Sequence, residues 1–160
     1  MGETTVKQDL VLTRIFDAPL EKVWRAWTDS DGVMSWWGPD CFTCPAANMD
    51  VREGGTSVVA MRDPNGADLY NSWTYTKIEP SQSLEFIQNM SDAAGAKLDP
   101  ASLGLPPEFP VDQRNLVTFK TTAGGGTEMT VTQFDWTVCP FLTFAEMGWS
   151  QSLAKMSAAL

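Results

Sequence analysis

The sequence predicts an α+β domain in which a curved antiparallel sheet wraps around a long C-terminal helix, with two short helices after the first strand and an apolar cavity between sheet and helix. Three observations predict it. An alternating segment is followed at once by two short stretches with helical spacing. The middle of the chain is a succession of strand-like runs separated by Gly, Pro, Asn and Asp. The end of the chain carries one broad apolar stripe at helical spacing. A sheet with one apolar face must be covered, and the terminal helix is the one element long enough to cover it.

Residues 8–16, with Leu10, Leu12, Ile15 and Phe16, read as the first strand. Asp17-Ala18-Pro19 reads as a helix start, Asp as the capping acceptor and Pro in the first turn. Leu20, Val23, Trp24 and Trp27 then make one stripe. Thr28-Asp29-Ser30 breaks this helix and caps a second, in which Val33, Trp36 and Trp37 repeat the spacing until Gly38-Pro39 ends it. Strands follow at 42–51, 56–62, 69–78 and 83–90, with a hairpin at Asp63-Pro64-Asn65-Gly66, because Asn-Gly tolerates positive φ. A last hairpin pairs 116–122 with 128–134 across Gly124-Gly125-Gly126. The stretch 91–115 has neither periodicity; it reads either as a lid over the cavity mouth or as a surface excursion. The final helix has competing start signals at Pro140 and at the capping-box pattern Thr143 to Glu146. Its stripe runs Phe141, Phe144, Ala145, Gly148, Trp149, Ser152, Leu153 and Met156. Gly148 inside it costs about 1 kcal/mol relative to Ala, which predicts a close backbone neighbour.

The 160 residues are expected to form a single domain with a core of its own, since 43% are apolar. Seven Trp, eight Phe and eight Met are a large supply of bulky groups, which fill a core and also suit an adaptable apolar pocket. The net charge of −9 opposes binding to nucleic acid or to anionic membranes. With no His, a Ser-His or Cys-His mechanism within the chain is excluded and the commonest metal ligand is missing. No apolar run is long enough to span a bilayer, and 1–10 lacks a signal-peptide core, so the expected location is cytoplasmic. Gly2 raises N-myristoylation, but Val6 stands where that motif needs Ser or Thr.

The motifs that carry chemistry elsewhere have plainer readings here. Cys41 and Cys44 have the spacing of a redox pair or half a zinc site. No second pair completes a zinc tetrahedron, so they read as incidental, and neither a metal nor a cofactor is expected. The glycines at 54–55 and 124–126 precede no helix and no phosphate-loop Lys, so they read as turns. Asp50, Glu53, Glu79, Glu85 and Glu146 are the carboxylates considered for acid–base work, but each falls at a turn or a polar position, and no catalytic residue is assigned. One of Trp36 and Trp37 is expected in the core and the other, taken as Trp37, on the cavity. Trp73 and Tyr75 share a strand face, as do Met129 and Val131. Met61, Phe86 and Phe119 join the ligand-facing set, although the pattern does not fix which face of their strands looks inward. Trp149, Leu153 and Met156 would oppose them from the helix. Tyr75, Ser72 and Asn71 are the candidate donors to a ligand carbonyl.

The segment RIFDAPLEKVWRAWTDSDGVMSWWGP (14–39) resembles the start of the activator-of-heat-shock-ATPase-like family, of the START-related SRPBCC superfamily. MDVREGG (49–55), the Asp-Pro-Asn-Gly hairpin, IEPSQSLEF (78–86) and EMGWSQSLAKM (146–156) are similar to that family in the expected order, over nearly the whole chain. The resemblance implies a helix-grip fold and a superfamily whose members bind lipids, hormones and polyketides, some catalysing cyclisation. Binding of an apolar small molecule is the leading expectation. A cyclase- or hydrolase-type enzyme using the same cavity is the alternative. A third is a regulator of a chaperone ATPase, although no segment here corresponds to the separate N-terminal domain of the co-chaperone that names the family. A homodimer through a strand edge is a further expectation.

Overall fold

The computed structural model describes residues 6–160. Gly2, and with it the myristoylation reading, lies outside the described residues. The chain runs β1 (Lys7–Phe16), α1 (Leu20–Thr28), α2 (Ser30–Met34), β2 (Ala47–Asn48), β3 (Thr56–Arg62), β4 (Asp68–Glu79), β5 (Ser83–Ser91), a 3-10 turn (Pro100–Leu103), β6 (Gln113–Thr121), β7 (Thr127–Thr137) and α3 (Pro140–Ala159). The strands form one seven-stranded sheet of order β1-β7-β6-β5-β4-β3-β2, antiparallel at every pairing. The two short helices follow the first strand and α3 packs in the sheet's concavity, which is the predicted α+β helix-grip architecture. No helix among the described residues is long and apolar enough to cross a membrane.

The tight hairpins form where turn chemistry demands them. Asp63 Oδ1 accepts from the backbone N–H of Asn65 and Ala67, and Gly66 takes φ 86°. Four local readings change. The second helix ends at Met34, so Trp36 and Trp37 lie in the turn after it and not within it. The predicted strand at 42–51 reduces to the two residues of β2 and a bridge from Thr43 to Arg62. Pro45 has no N–H to give a ladder, and Cys41 sits at φ 69°, so this edge segment pairs only in pieces. The first helix is preceded by Pro19 as its cap residue, with no side-chain cap from Asp17. The terminal helix starts at Pro140, so the capping-box pattern at Thr143 lies inside it.

Alternation sends Leu69, Asn71, Trp73 and Tyr75 of β4 to the concave face, with Leu84, Phe86, Gln88 and Met90 of β5 beside them. Gln113, Asn115, Val117 and Phe119 of β6 and Met129, Val131 and Gln133 of β7 continue that face. Asp135 is kinked to φ 59°, and the β1–β7 register slips between Gln8 and Leu10. This bulge moves the alternation by one residue, so Trp136 follows Gln133 inward.

One end of the concave face is solid. Trp27, fully buried, lies 4.6 Å from Trp36, 5.8 Å from Trp73 and 6.0 Å from Trp149 between ring centroids. Its indole N–H points at the Met129 sulfur, 3.1 Å away. Val23, Leu84, Val117, Leu153 and Met156 complete this packing. The other end of the same face is open.

Candidate functional site

Above the tryptophan cluster lies a cavity of about 500 Å³, within the range of small-molecule sites. The sheet contributes Met61, Leu69, Asn71, Gln88, Gln113 and Gln133. The helix α3 contributes Phe141, Phe144, Ala145, Gly148, Trp149 and Ser152. Leu103, Leu105, Phe109 and Pro110, from the stretch that had no periodicity, form a third wall. Phe109 meets Trp136 and Phe141 edge to face at 6.3 and 6.1 Å, which ties this segment to β7 and α3. Leu69, Leu103 and Phe144, exposed by 41, 40 and 62%, make an apolar rim.

The fourth wall is Trp37, Pro39 and Phe42, in the turn after α2. Lys155 holds that turn against α3: its ammonium donates to the carbonyls of Gly38 at 2.8 Å, Phe42 at 3.1 Å and Pro39 at 3.5 Å. Partial burial lowers its pKa, and the three carbonyls engage its ammonium, so it holds the wall and does not line the cavity. Among the described residues, no side chain lining the cavity is ionisable. Its polar groups are carboxamides, one serine hydroxyl and the indoles.

The carboxamides form a relay across the sheet. Trp136 Nε1–H donates to Gln133 Oε1 at 3.0 Å. Gln133 Nε2 donates to Asn115 Oδ1 at 2.9 Å and, more weakly, to Gln88 Oε1 at 3.5 Å. Gln88 Nε2 donates to Asn71 Oδ1 at 3.1 Å. The register brings these residues together, since Asn115 pairs with Gln133 and Gln113 with Gln88 across neighbouring strands. Amides bonded to one another in this way stiffen the floor without charge.

A family model described as Activator of Hsp90 ATPase homolog 1-like protein matches residues 17–160. The chain belongs to that family. Solved structures of similar fold include a protein from Chromobacterium violaceum, 22% identical with a TM-score of 0.76 over 94% of this chain and 95% of that one. A Mycobacterium smegmatis protein is 22% identical at a TM-score of 0.75, covering 99% and 96%. The AHSA1 protein of Silicibacter pomeroyi is 21% identical at 0.74, covering 95% and 96%. At these identities the likeness shows the fold alone. No curated protein matches the chain.

Within this family member the ten residues singled out as ligand-facing separate by depth. Trp37, Met61 and Trp149 lie on the cavity wall. Trp73, Tyr75, Phe86, Phe119, Met129, Leu153 and Met156 lie below it in the solid core, each at most 6% exposed. The indole of Trp27 packs against Trp73, Phe86 and Met129 among them. Tyr75 shares a 2.8 Å hydrogen bond with Ser57, and burial pushes its pKa up to about 12, so it stays neutral, and it does not line the cavity. Gly148 has no backbone close by; a Cβ there would meet only Pro39 Cβ at 3.8 Å, and its lack of side chain leaves room in the cavity.

Sequence reasoning missed Gln88, Gln113, Gln133 and Trp136. The signal was present: three glutamines sit at positions of strict alternation with apolar neighbours, where exposed polar residues are not expected. The considered carboxylates lie elsewhere. Asp50, Glu79 and Glu85 pair with Arg52, Lys77 and Arg114 on the surface, Glu53 accepts from the Ile78 N–H, and Glu146 is exposed. Cys41 is exposed, whereas Cys44 is buried and burial raises its pKa; both are free thiols, and no metal-binding cluster occurs among the described residues.

Proposed function

We propose that the chain binds a neutral, largely apolar small molecule in this cavity, without converting it. The observation that carries the reading is the wall itself: about 500 Å³ of space bounded by aromatic and aliphatic groups and by uncharged amides. A charged guest would lose its hydration and gain no counter-charge there. General acid–base chemistry needs an ionisable group within hydrogen-bond reach, and the lining offers none, which favours binding over a cyclase or hydrolase. The apolar rim of Leu69, Leu103 and Phe144 supports entry of such a guest from an apolar source.

Titration with a neutral fluorescent dye, N-phenylnaphthylamine, tests this. One saturable site is expected, with the emission of a dry environment, and the anionic naphthalene sulfonate analogue should bind more weakly. Absence of saturable binding, or preference for the anion, would overturn the reading.

A further inference from the structure

The orientation of the amide relay is dictated by groups that can play only one part. An indole N–H only donates, so Gln133 must turn Oε1 toward Trp136 and Nε2 toward Asn115 and Gln88. A second anchor agrees: Asn115 Nδ2 donates to the backbone carbonyl of Gln113 at 3.0 Å, a pure acceptor, which leaves Asn115 Oδ1 facing Gln133. Gln88 must then receive at Oε1 and pass its own Nε2 on to Asn71 Oδ1. Flipping Gln88 would set N–H against N–H at one end and oxygen against oxygen at the other.

The relay ends at Asn71. Its Oδ1 is taken, so its Nδ2, with two N–H groups, faces away from Gln88 and has no partner among the described residues. Asn71 is only 7% exposed yet lines the cavity. Among the described residues the sealed side-chain atoms without a partner are the indole nitrogens of Trp37 and Trp73, so Asn71 Nδ2 is not walled in but opens onto the cavity space. Around it stand Met61, Leu69 and Met90, which offer no oxygen acceptor from their side chains.

We infer that Asn71 is a specificity-determining donor, and that the guest is a neutral molecule carrying an acceptor oxygen of the carbonyl type placed against β4. This rests on the binding reading above and narrows it. A guest offering only apolar surface leaves the Asn71 N–H groups desolvated and unpaired, which penalises it against a carbonyl compound of the same shape. Trp136 and Gln133 act through Asn71, as positioning residues.

The test uses fluorene and fluorenone, flat neutral molecules that differ by a carbonyl in place of a methylene. Their dissociation constants are measured by displacement of N-phenylnaphthylamine from the wild-type chain and from the Asn71→Leu variant. Because the two compounds differ in water solubility, the quantity read is the change in their affinity ratio between proteins. The ratio favouring fluorenone should fall roughly three- to tenfold in Asn71→Leu, with fluorene binding preserved or improved. Trp136→Phe, which frees Gln133 to flip, should reduce the same ratio while fluorene still binds, and it supplies the test if Asn71→Leu does not fold. A ratio unchanged in both variants, with both compounds bound, overturns the Asn71 assignment alone. Failure of both compounds to bind the wild type overturns the cavity reading and the assignment with it.

Discussion

Replacing Gly148 separates the cavity from the stability of the helix that borders it. Gly148 sits mid-way along α3, and a Cβ there would find Pro39 Cβ at 3.8 Å, an ordinary contact, and otherwise open space. Gly148→Ala should therefore recover the helix-propensity difference, about 1 kcal/mol, with no steric loss. For a chain of this size that raises the melting temperature by roughly 2–4 °C. Gly148→Phe keeps much of the propensity gain and projects a ring between Ala145, Trp149 and Ser152, where the guest would lie. Its affinity for N-phenylnaphthylamine should fall more than tenfold, or about 1.4 kcal/mol. Thermal melts by circular dichroism and dye titration on the three proteins read both quantities. Stability and binding are expected to move in opposite directions, so weaker binding cannot be ascribed to unfolding. A lowered melting temperature for Gly148→Ala, or undiminished binding by Gly148→Phe, would refute the reasoning.

Two further outcomes follow from the core. Trp27→Ala should destabilise the fold by about 3–5 kcal/mol in denaturant titration, because a fully buried indole with four ring neighbours leaves a hole too large to close; less than 1 kcal/mol would mean the cluster is slack. Tyr75 gives a pH signature. Its folded pKa of about 12 stands above the ordinary 10.0, so its contribution is intact below pH 10 and is lost as pH rises toward 12, when the unfolded chain ionises first. The loss amounts to roughly 3 kcal/mol at most, and it should be absent from the Tyr75→Phe variant measured over the same range.

The fold was legible because the patterns that specify it are local and redundant. The β3 bounds, Thr56–Arg62, were readable from turn residues alone, and the α3 stripe from its spacing. The segment at 42–51 misled because Phe42 serves a wall held by Lys155, while Cys44, Ala47, Met49 and Val51 pack on the core from a chain that Pro45 keeps out of a continuous ladder. The cavity was only partly legible. Trp73 and Met61 look alike to a periodicity argument, since both are large, apolar and inward. What separates them is distance along the strands from the Trp27 cluster, a property of sheet curvature and of packing between residues far apart in the chain. The 91–115 stretch hid its contribution for another reason. Leu103, Leu105 and Phe109 act singly from an irregular backbone, and no period marks them.

The crowding of indoles has an optical consequence. Trp27, Trp36, Trp37, Trp73 and Trp149 stand 4.6 to 6.2 Å from one another in successive pairs, close enough for excitation to migrate among them before it is emitted. Trp37 and Trp149 belong both to that antenna and to the cavity wall. A guest that quenched either ring would drain light absorbed by all five, so occupancy of the cavity would be read out, amplified, in the protein's own emission.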